Sequence, residues 1–218
     1  MFSCSQKHHA EITITNTADY DLTEKPFMIQ RSQIEEQLGE IGDDEVVLLS
    51  ADGGFIFIPS QLDDTDGDGQ WNELFTIVDL KAGEQKKLHL IKKKKVHAPT
   101  FTTRTNIHFA DKNDPSKTFT FAERLKNFDT QTTQQYFQYE GPGWENDIVG
   151  FRNYFDARNG MDIWGKTTTG MVLAGVGLAG GPSYHEMQPW GMDILKVGNS
   201  LGAGAIALET PTGLYHIG

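Results

Sequence analysis

Over the first 95 residues, short apolar runs joined by turns recur along the chain, several with the period of two that buries one face of a β-strand. Glu11-Ile12-Thr13-Ile14-Thr15 shows the alternation most plainly, and Val46–Leu49, Phe55–Ile58, Leu74–Val78 and Leu88–Ile91 follow as strand-like runs. Ala82-Gly83-Glu84 separates the last two at hairpin spacing. One stretch has helical character: Ser32 followed by Glu35 resembles a capping box, predicting a short helix over Gln33–Leu38 that Gly39 ends. The pattern predicts a small β-sandwich over residues 10–95. Lys92 to Lys95 close it with four consecutive cations, expected to be a solvated strand end rather than a phosphate or membrane contact.

From Phe101 the texture changes. Thr102–Phe109 is a strand candidate, followed by a polar loop over Asp111–Lys117. Phe119–Phe128 reads as a short helix or an excursion over the sheet, and strand-like runs return at Ile148–Phe155, Met161–Trp164 and Leu214–Ile217. Gly170–Gly181 is small and Gly-rich, the composition of a mobile loop. A boundary near Val96–Thr100 would separate the sandwich from a β-rich region over residues 100–218.

Charge narrows the function classes. The 218 residues carry 19 Lys and Arg against 30 Asp and Glu, a net charge of −11. That balance argues against nucleic-acid binding, which needs clustered cations to displace phosphate counterions. Apolar residues at 38% suffice for a packed core, and no apolar run approaches the ~20 residues of a membrane span. Cys4 is the single cysteine, so no intrachain disulfide can form. Phe2-Ser3-Cys4-Ser5 resembles the end of a bacterial lipobox, with a polar spacer to His9, although no apolar leader precedes it. Residues 1–9 are therefore read either as the tether of a periplasmic or outer-membrane lipoprotein, or as a terminus with a chance cysteine.

Three constellations could carry chemistry. In Asp64-Thr65-Asp66-Gly67-Asp68-Gly69-Gln70-Trp71-Asn72, the aspartates fall at ligand positions 1, 3 and 5 of a Ca²⁺ loop. Gly69 takes the tight turn, the Gln70 carbonyl position 7 and Asn72 position 9. Phe75 at position 12 and flanking strands exclude an EF-hand, leaving a hairpin loop with a structural Ca²⁺, or a solvated acidic tip. In the second, Arg152, Tyr154 and Asp156 share one strand face, following Trp144, Glu145 and Asp147 and preceding Arg158. Arginine grips carboxylates through paired hydrogen bonds and aromatics stack on sugar rings, while structural Arg–Asp pairs would look the same. The third is Tyr184-His185-Glu186, with Trp190, Asp193 and Lys196 close behind, placing a proton shuttle beside a carboxylate. No second His follows at the spacing of a metal motif.

Taken in order, Asp66–Leu74, Leu80–Glu84, Trp144–Arg152 and Tyr184–Gly198 resemble the motifs of the DUF4861 family, and the resemblance spans nearly the whole chain. It implies a β-rich secreted or lipid-anchored protein of polysaccharide-degrading Bacteroidetes, acting on uronic-acid-containing oligosaccharides by elimination or dehydration. Family members continue well past the position of Gly218, so an N-terminal portion is expected here. On this view Arg152 or Arg158 neutralises the uronate carboxylate, and His185 and Tyr184 serve as base and acid. Glu186 orients His185, and Trp144 and Trp190 form a sugar platform. Arg152, Arg158, Lys166 and Lys196 would make a locally positive cleft. The competing expectations are a non-catalytic carbohydrate-binding sandwich and, third, a glycoside hydrolase using Glu145 and Glu186.

Overall fold

The computed structural model describes residues 8–54, 56–123, 136–198 and 200–216. Cys4, Phe55 and residues 124–128 of the Phe119–Phe128 run lie outside them, and residues 119–123 are not helical. The structure is mainly β, with antiparallel sheets and a single short α-helix among the described residues. The chain divides into two units between Thr102 and Thr103, just beyond Val96–Thr100.

The first unit is a sandwich. One sheet takes β1 (His9–Thr15), β7 (Gln85–Lys94), β3 (Glu45–Ser50) and β4 (Phe57–Ile58) in that order, and the other takes β2 (Leu22–Gln30), β6 (Glu73–Leu80) and β5 (Ser60–Asp63). Alternate residues of both sheets meet in one aliphatic core, with Ile14, Leu49, Leu88 and Leu90 from the first and Ile29, Leu74, Val78 and Leu80 from the second. The helix α1 (Arg31–Leu38) adds Ile34 and Leu38, both fully buried. It starts two residues earlier than Gln33, because the side chain of Gln33, not Glu35, accepts the backbone N–H of Gln30. Glu35 instead pairs with Arg31 at 2.9 Å. Gly39 ends the helix with φ at +73°, a conformation costly for any residue with a Cβ.

One expectation fails here and another holds only in part, each for a physical reason. β6 and β7 are not hairpin partners, since the turn at Gly83 carries the chain from one sheet to the other. Pairing them in one sheet would have left their apolar faces without the opposing layer that now covers them. The four-lysine run is a solvated end only in part: Lys94 and Lys95 are exposed, but Lys92 is not. Strand alternation turns Lys92 inward, where its fully buried Nζ donates to the carbonyls of Leu38 and Glu40 at 3.1 and 2.9 Å. Carbonyls at a helix end lack intrahelical donors, and the ammonium supplies them.

The second unit is built on a five-stranded antiparallel sheet in the order β12 (Gly191–Asp193), β11 (Met161–Lys166), β10 (Val149–Asn153), β9 (Gly143–Asn146) and β8 (Thr105–His108). A separate hairpin joins β13 (Ala207–Thr210) to β14 (Gly213–His216). On one face of the sheet, Glu145, Gly150, Arg152, Asp162, Trp164 and Asp193 are all buried. On the other, Trp144 stacks on Phe151 with ring centroids 5.8 Å apart. The Gly170–Gly181 loop is tied down at its middle, where it buries Leu173 and Val176 and the Gln138 amide donates to the carbonyls of Leu173 and Val176.

Candidate functional site

The buried face of the five-stranded sheet is organised by Arg152. Its side chain is 0% exposed, and all of its nitrogens are engaged by the protein. Nε donates to Asp162 Oδ2 at 3.1 Å, and Nη1 to the Tyr139 carbonyl and the Tyr184 hydroxyl at 3.1 and 2.9 Å. Nη2 donates to the Tyr154 hydroxyl, Asp162 and Asp193 at 2.6, 2.7 and 3.2 Å. The register makes this arrangement, since Arg152 faces Asp162 across β10 and β11 while Trp164 faces Asp193 across β11 and β12. A guanidinium has five N–H groups, and here none remains for a substrate carboxylate. Arg152 is therefore the hub of a buried ion network rather than a ligand grip.

Asp193 links that hub to solvent. Its Oδ2 lies 3.2 Å from Arg152 Nη2 and 3.0 Å from His185 Nδ1. The carboxylate is 4% exposed and the imidazole 61%. Burial and the neighbouring Asp162 push the Asp193 carboxyl up to about 6, against the pull of Arg152. A carboxylate at Nδ1 fixes the imidazole tautomer with its proton there, leaving Nε2 with a free electron pair. Such an arrangement accepts a proton at Nε2 while Asp193 stabilises the imidazolium.

The other expected residues separate into those near this pair and those the fold uses elsewhere. Glu186, exposed on the surface, is not the carboxylate on His185; Asp193 takes that position. The Tyr184 ring packs 4.5 Å from that of His185, but its hydroxyl turns inward, accepting from Arg152 and donating to Glu140 at 3.4 Å. Burial raises the Tyr184 phenol above its ordinary value, which holds its proton tightly. Trp190 packs with Trp164, ring centroids 6.0 Å apart, in the same cluster as Tyr184. Trp144 belongs to the opposite face, so the two tryptophans do not make one platform.

The expected positive cleft is largely neutralised. Arg158 is bound to Asp156 and Glu140, and its guanidinium lies 3.8 Å from the Tyr154 ring centroid. Lys166 is buried against Glu145 at 2.6 Å, and Asp147 pairs with Arg104 at 2.7 Å. Lys196 is exposed. Glu145 is a structural acceptor: Lys166 and the backbone N–H groups of Val172 and Leu173 all donate to its carboxylate. Its 3% exposure removes it from any role on a glycosidic bond.

In the first unit, Asp64, Asp66 and Asp68 lie in the loop joining β5 to β6, and their carboxylate oxygens come within 4.8 Å of one another. Asp64 accepts the backbone N–H groups of Gly67 and Gly69 at 2.7 and 2.8 Å, which holds its carboxyl below the usual value. Asn72 accepts from the backbone and hydroxyl of Thr65, and the Gln70 side chain accepts from Arg31. Three hard oxygen donors on one tight loop suit Ca²⁺, with the Gln70 carbonyl and Asn72 as the remaining expected ligands.

The family model for a domain of unknown function, DUF4861, matches residues 14–217. The chain belongs to the DUF4861 family. No curated protein and no solved structure matches it. Sequence reasoning misses two parts of this DUF4861 site. It marks Asp193 only as a neighbour of His185, yet the Asp193 N–H donates to the Tyr184 carbonyl at 2.8 Å, folding β12 back beside the imidazole. Gln138-Tyr139-Glu140, which carries acceptors for Arg152 and Arg158, has no apolar period to reveal it. Its signal is conformational: Tyr139 and Glu140 take φ of +41° and +71°, each costing about 1–3 kcal/mol that the surroundings must offset.

Proposed function

We propose that this DUF4861 protein acts on uronic-acid-containing oligosaccharides, eliminating across C4–C5 of a terminal uronic acid. The exposed His185 imidazole held by the buried Asp193 carboxylate carries the reading. In this scheme His185 Nε2 takes the C5 proton, the C5–H electrons form the C4=C5 double bond, and the C4–O bond breaks as its oxygen takes up a proton from water. Lys196, the exposed member of the expected positive cleft, takes the place of Arg152 and faces the uronate, and Trp190 supports the ring. Relatives' uronic-acid chemistry, implied by the family resemblance, supplies the substrate class.

A second reading is a non-catalytic carbohydrate-binding module. It is favoured by the inward commitment of Arg152 and of the Tyr184 hydroxyl, two groups that elimination would have used. Absorbance at the enoate band separates the two when the protein is mixed with a panel of uronic-acid oligosaccharides. A rising trace reduced by ~10²–10⁴ in His185→Ala supports elimination, the range a general base contributes. Binding with a flat wild-type trace supports the module.

Calcium belongs to the same proposal as a staple of the β5–β6 hairpin, held by Asp64, Asp66 and Asp68. A melting temperature raised by Ca²⁺ in the wild type and unmoved in Asp64→Asn supports it; no rise in the wild type overturns it. The parent protein is proposed to be a periplasmic or outer-membrane lipoprotein with the lipid on Cys4. Fatty-acid-analogue labelling lost in Cys4→Ser tests that.

A further inference from the structure

On the outer face of the sandwich, His9 and His89 bring two imidazole nitrogens to one point. His9 Nε2 lies 2.8 Å from His89 Nδ1, with ring centroids 4.9 Å apart and planes at 41°. The β1–β7 register explains the meeting. His89 stands opposite Glu11, and His9 stands two residues along β1 from Glu11, so the histidines are diagonal neighbours on one face. Ala10, Ile12 and Ile14 pack toward the core, which leaves His9 and Glu11 outward.

A hydrogen bond between two neutral imidazoles already aims one lone pair and one N–H at the same small volume. If both nitrogens present lone pairs there, the space between them fits a metal ion. Metal–imidazole bonds of ~2.0–2.1 Å at a right angle place two nitrogens ~2.9 Å apart, and at a tetrahedral angle ~3.3 Å. The observed separation matches the right-angled edge of a tetragonal or octahedral site. That geometry with imidazole ligands belongs to Cu²⁺ and Ni²⁺ more than to Zn²⁺. Glu11, paired with Lys87 at 2.8 Å, puts a negative charge near both histidines without joining them as a ligand, and the acidic chain favours cation approach.

We propose that His9 and His89 form a surface site for a divalent transition metal, Cu²⁺ or Ni²⁺, clipping strand β1 to strand β7. In the bound form each imidazole keeps its proton on the outer nitrogen, Nδ1 of His9 and Nε2 of His89, and water fills the other positions. The site is independent of the aspartate loop and of His185.

Cu²⁺ titration of the full chain, followed by calorimetry and electron paramagnetic resonance, tests it. One equivalent is expected to bind with coupling to two nitrogens. Loss of an outer-shell partner alone costs ~10–100-fold in metal affinity, so His9→Ala and His89→Ala should each weaken binding by at least ~10-fold. His8→Ala and His185→Ala should leave it unchanged. Ni²⁺ should raise the melting temperature of the wild type and not of His89→Ala, because the metal binds the folded pairing of the two strands. Binding that survives His89→Ala, a signal from a single nitrogen, or no binding overturns the proposal. Both side chains lie on the outer face, and an unchanged metal-free melting temperature in each variant shows that the fold is intact.

Discussion

The two units bury different chemistry. The hydrophobic core cluster of the sandwich is aliphatic, with Ile34, Leu38, Leu49, Leu74 and Leu90 fully excluded from solvent, and its buried cation, Lys92, serves the helix end. The five-stranded unit buries Trp164 and Tyr139 beside Arg152, Asp162 and Asp193. An aliphatic core tolerates exchanges that keep volume and pattern, so it serves as scaffold. A buried ion network works only when every member is present, because an unpartnered charge in low dielectric is costly. That requirement fixes each side chain, and it holds Asp193 rigid behind an exposed imidazole. In the sandwich, by contrast, the candidate chemistry is confined to a hairpin loop and an outer sheet face, where the core does not constrain it.

The largest expected effect comes from breaking the network at its hub. Arg152→Ala leaves Asp162 and Asp193 buried without their cation and should cost about 3–5 kcal/mol in denaturant unfolding. Arg152→Met, which fills the volume but cannot pair, should behave alike, since the charges left behind dominate. If Arg152→Met were nearly neutral, the network would be electrostatically dispensable and the contrast between the units would collapse. In the sandwich the matching probe is Leu90→Ala, expected to cost about 2–5 kcal/mol through lost burial and a residual cavity. There, unlike at Arg152, Leu90→Met should be tolerated at under about 1.5 kcal/mol.

Glycines sharpen the comparison at smaller magnitude. Gly39 has φ of +73° with ψ of 179° but open space where a Cβ would go, so Gly39→Ala should cost only the strain of that glycine-type backbone, about 1–3 kcal/mol. Gly191 combines φ of +129° with a Cβ position 1.9 Å from the Gly165 carbonyl oxygen. Gly191→Ala must therefore displace β12 from β11, and it should cost more than Gly39→Ala in thermal unfolding. It should also loosen the Asp193–His185 contact, visible as a changed chemical shift for the His185 ring.

The same contrast explains what can be read from sequence. Strands β1, β6 and β7 are legible because each places inward-facing side chains at intervals that match a half-buried sheet, and β3 is legible as a continuous apolar run, Val46–Leu49, that is buried from Val47 onward. β2 is not, since Glu24, Lys25 and Pro26 break its pattern; Glu24 has φ of +49° at a register shift, and Pro26 is tolerated because β2 is an edge strand. In the second unit, β10 ends at Asn153, so Arg152, Tyr154 and Asp156 do not share one strand face; their alternation is legible and persists as alternate burial, but not that these side chains turn inward. Charge normally marks the wet face, and only the arrival of Asp162 and Asp193 from other strands reverses that. Glu186 is the natural partner for His185 in sequence because it is adjacent. Adjacent side chains in a loop diverge, while β12 returns the residue that touches.

The pH dependence is the most specific test of the buried network. The Asp193 carboxyl rises from an ordinary 3.8 to about 6 in the fold. Between those values the folded chain holds a proton that the unfolded chain has released, so stability falls as pH rises across that window. Above about 6 the full deficit is present. The amide introduced by Asp193→Asn cannot titrate, so the wild type should lose stability relative to that variant from pH 4 to pH 6, with little further change above it. Asp64, in the exposed hairpin loop, should act in the opposite sense. Its carboxyl is held below 3.8 by backbone N–H groups, so its contribution is present above that value and lost as pH falls through the lower one. Urea unfolding of Asp193→Asn and Asp64→Asn beside the wild type, stepped from pH 3 to pH 7, reads both slopes. Slopes of the same sign would show that Asp193 is solvated like Asp64, and that His185 leans on an ordinary surface carboxylate.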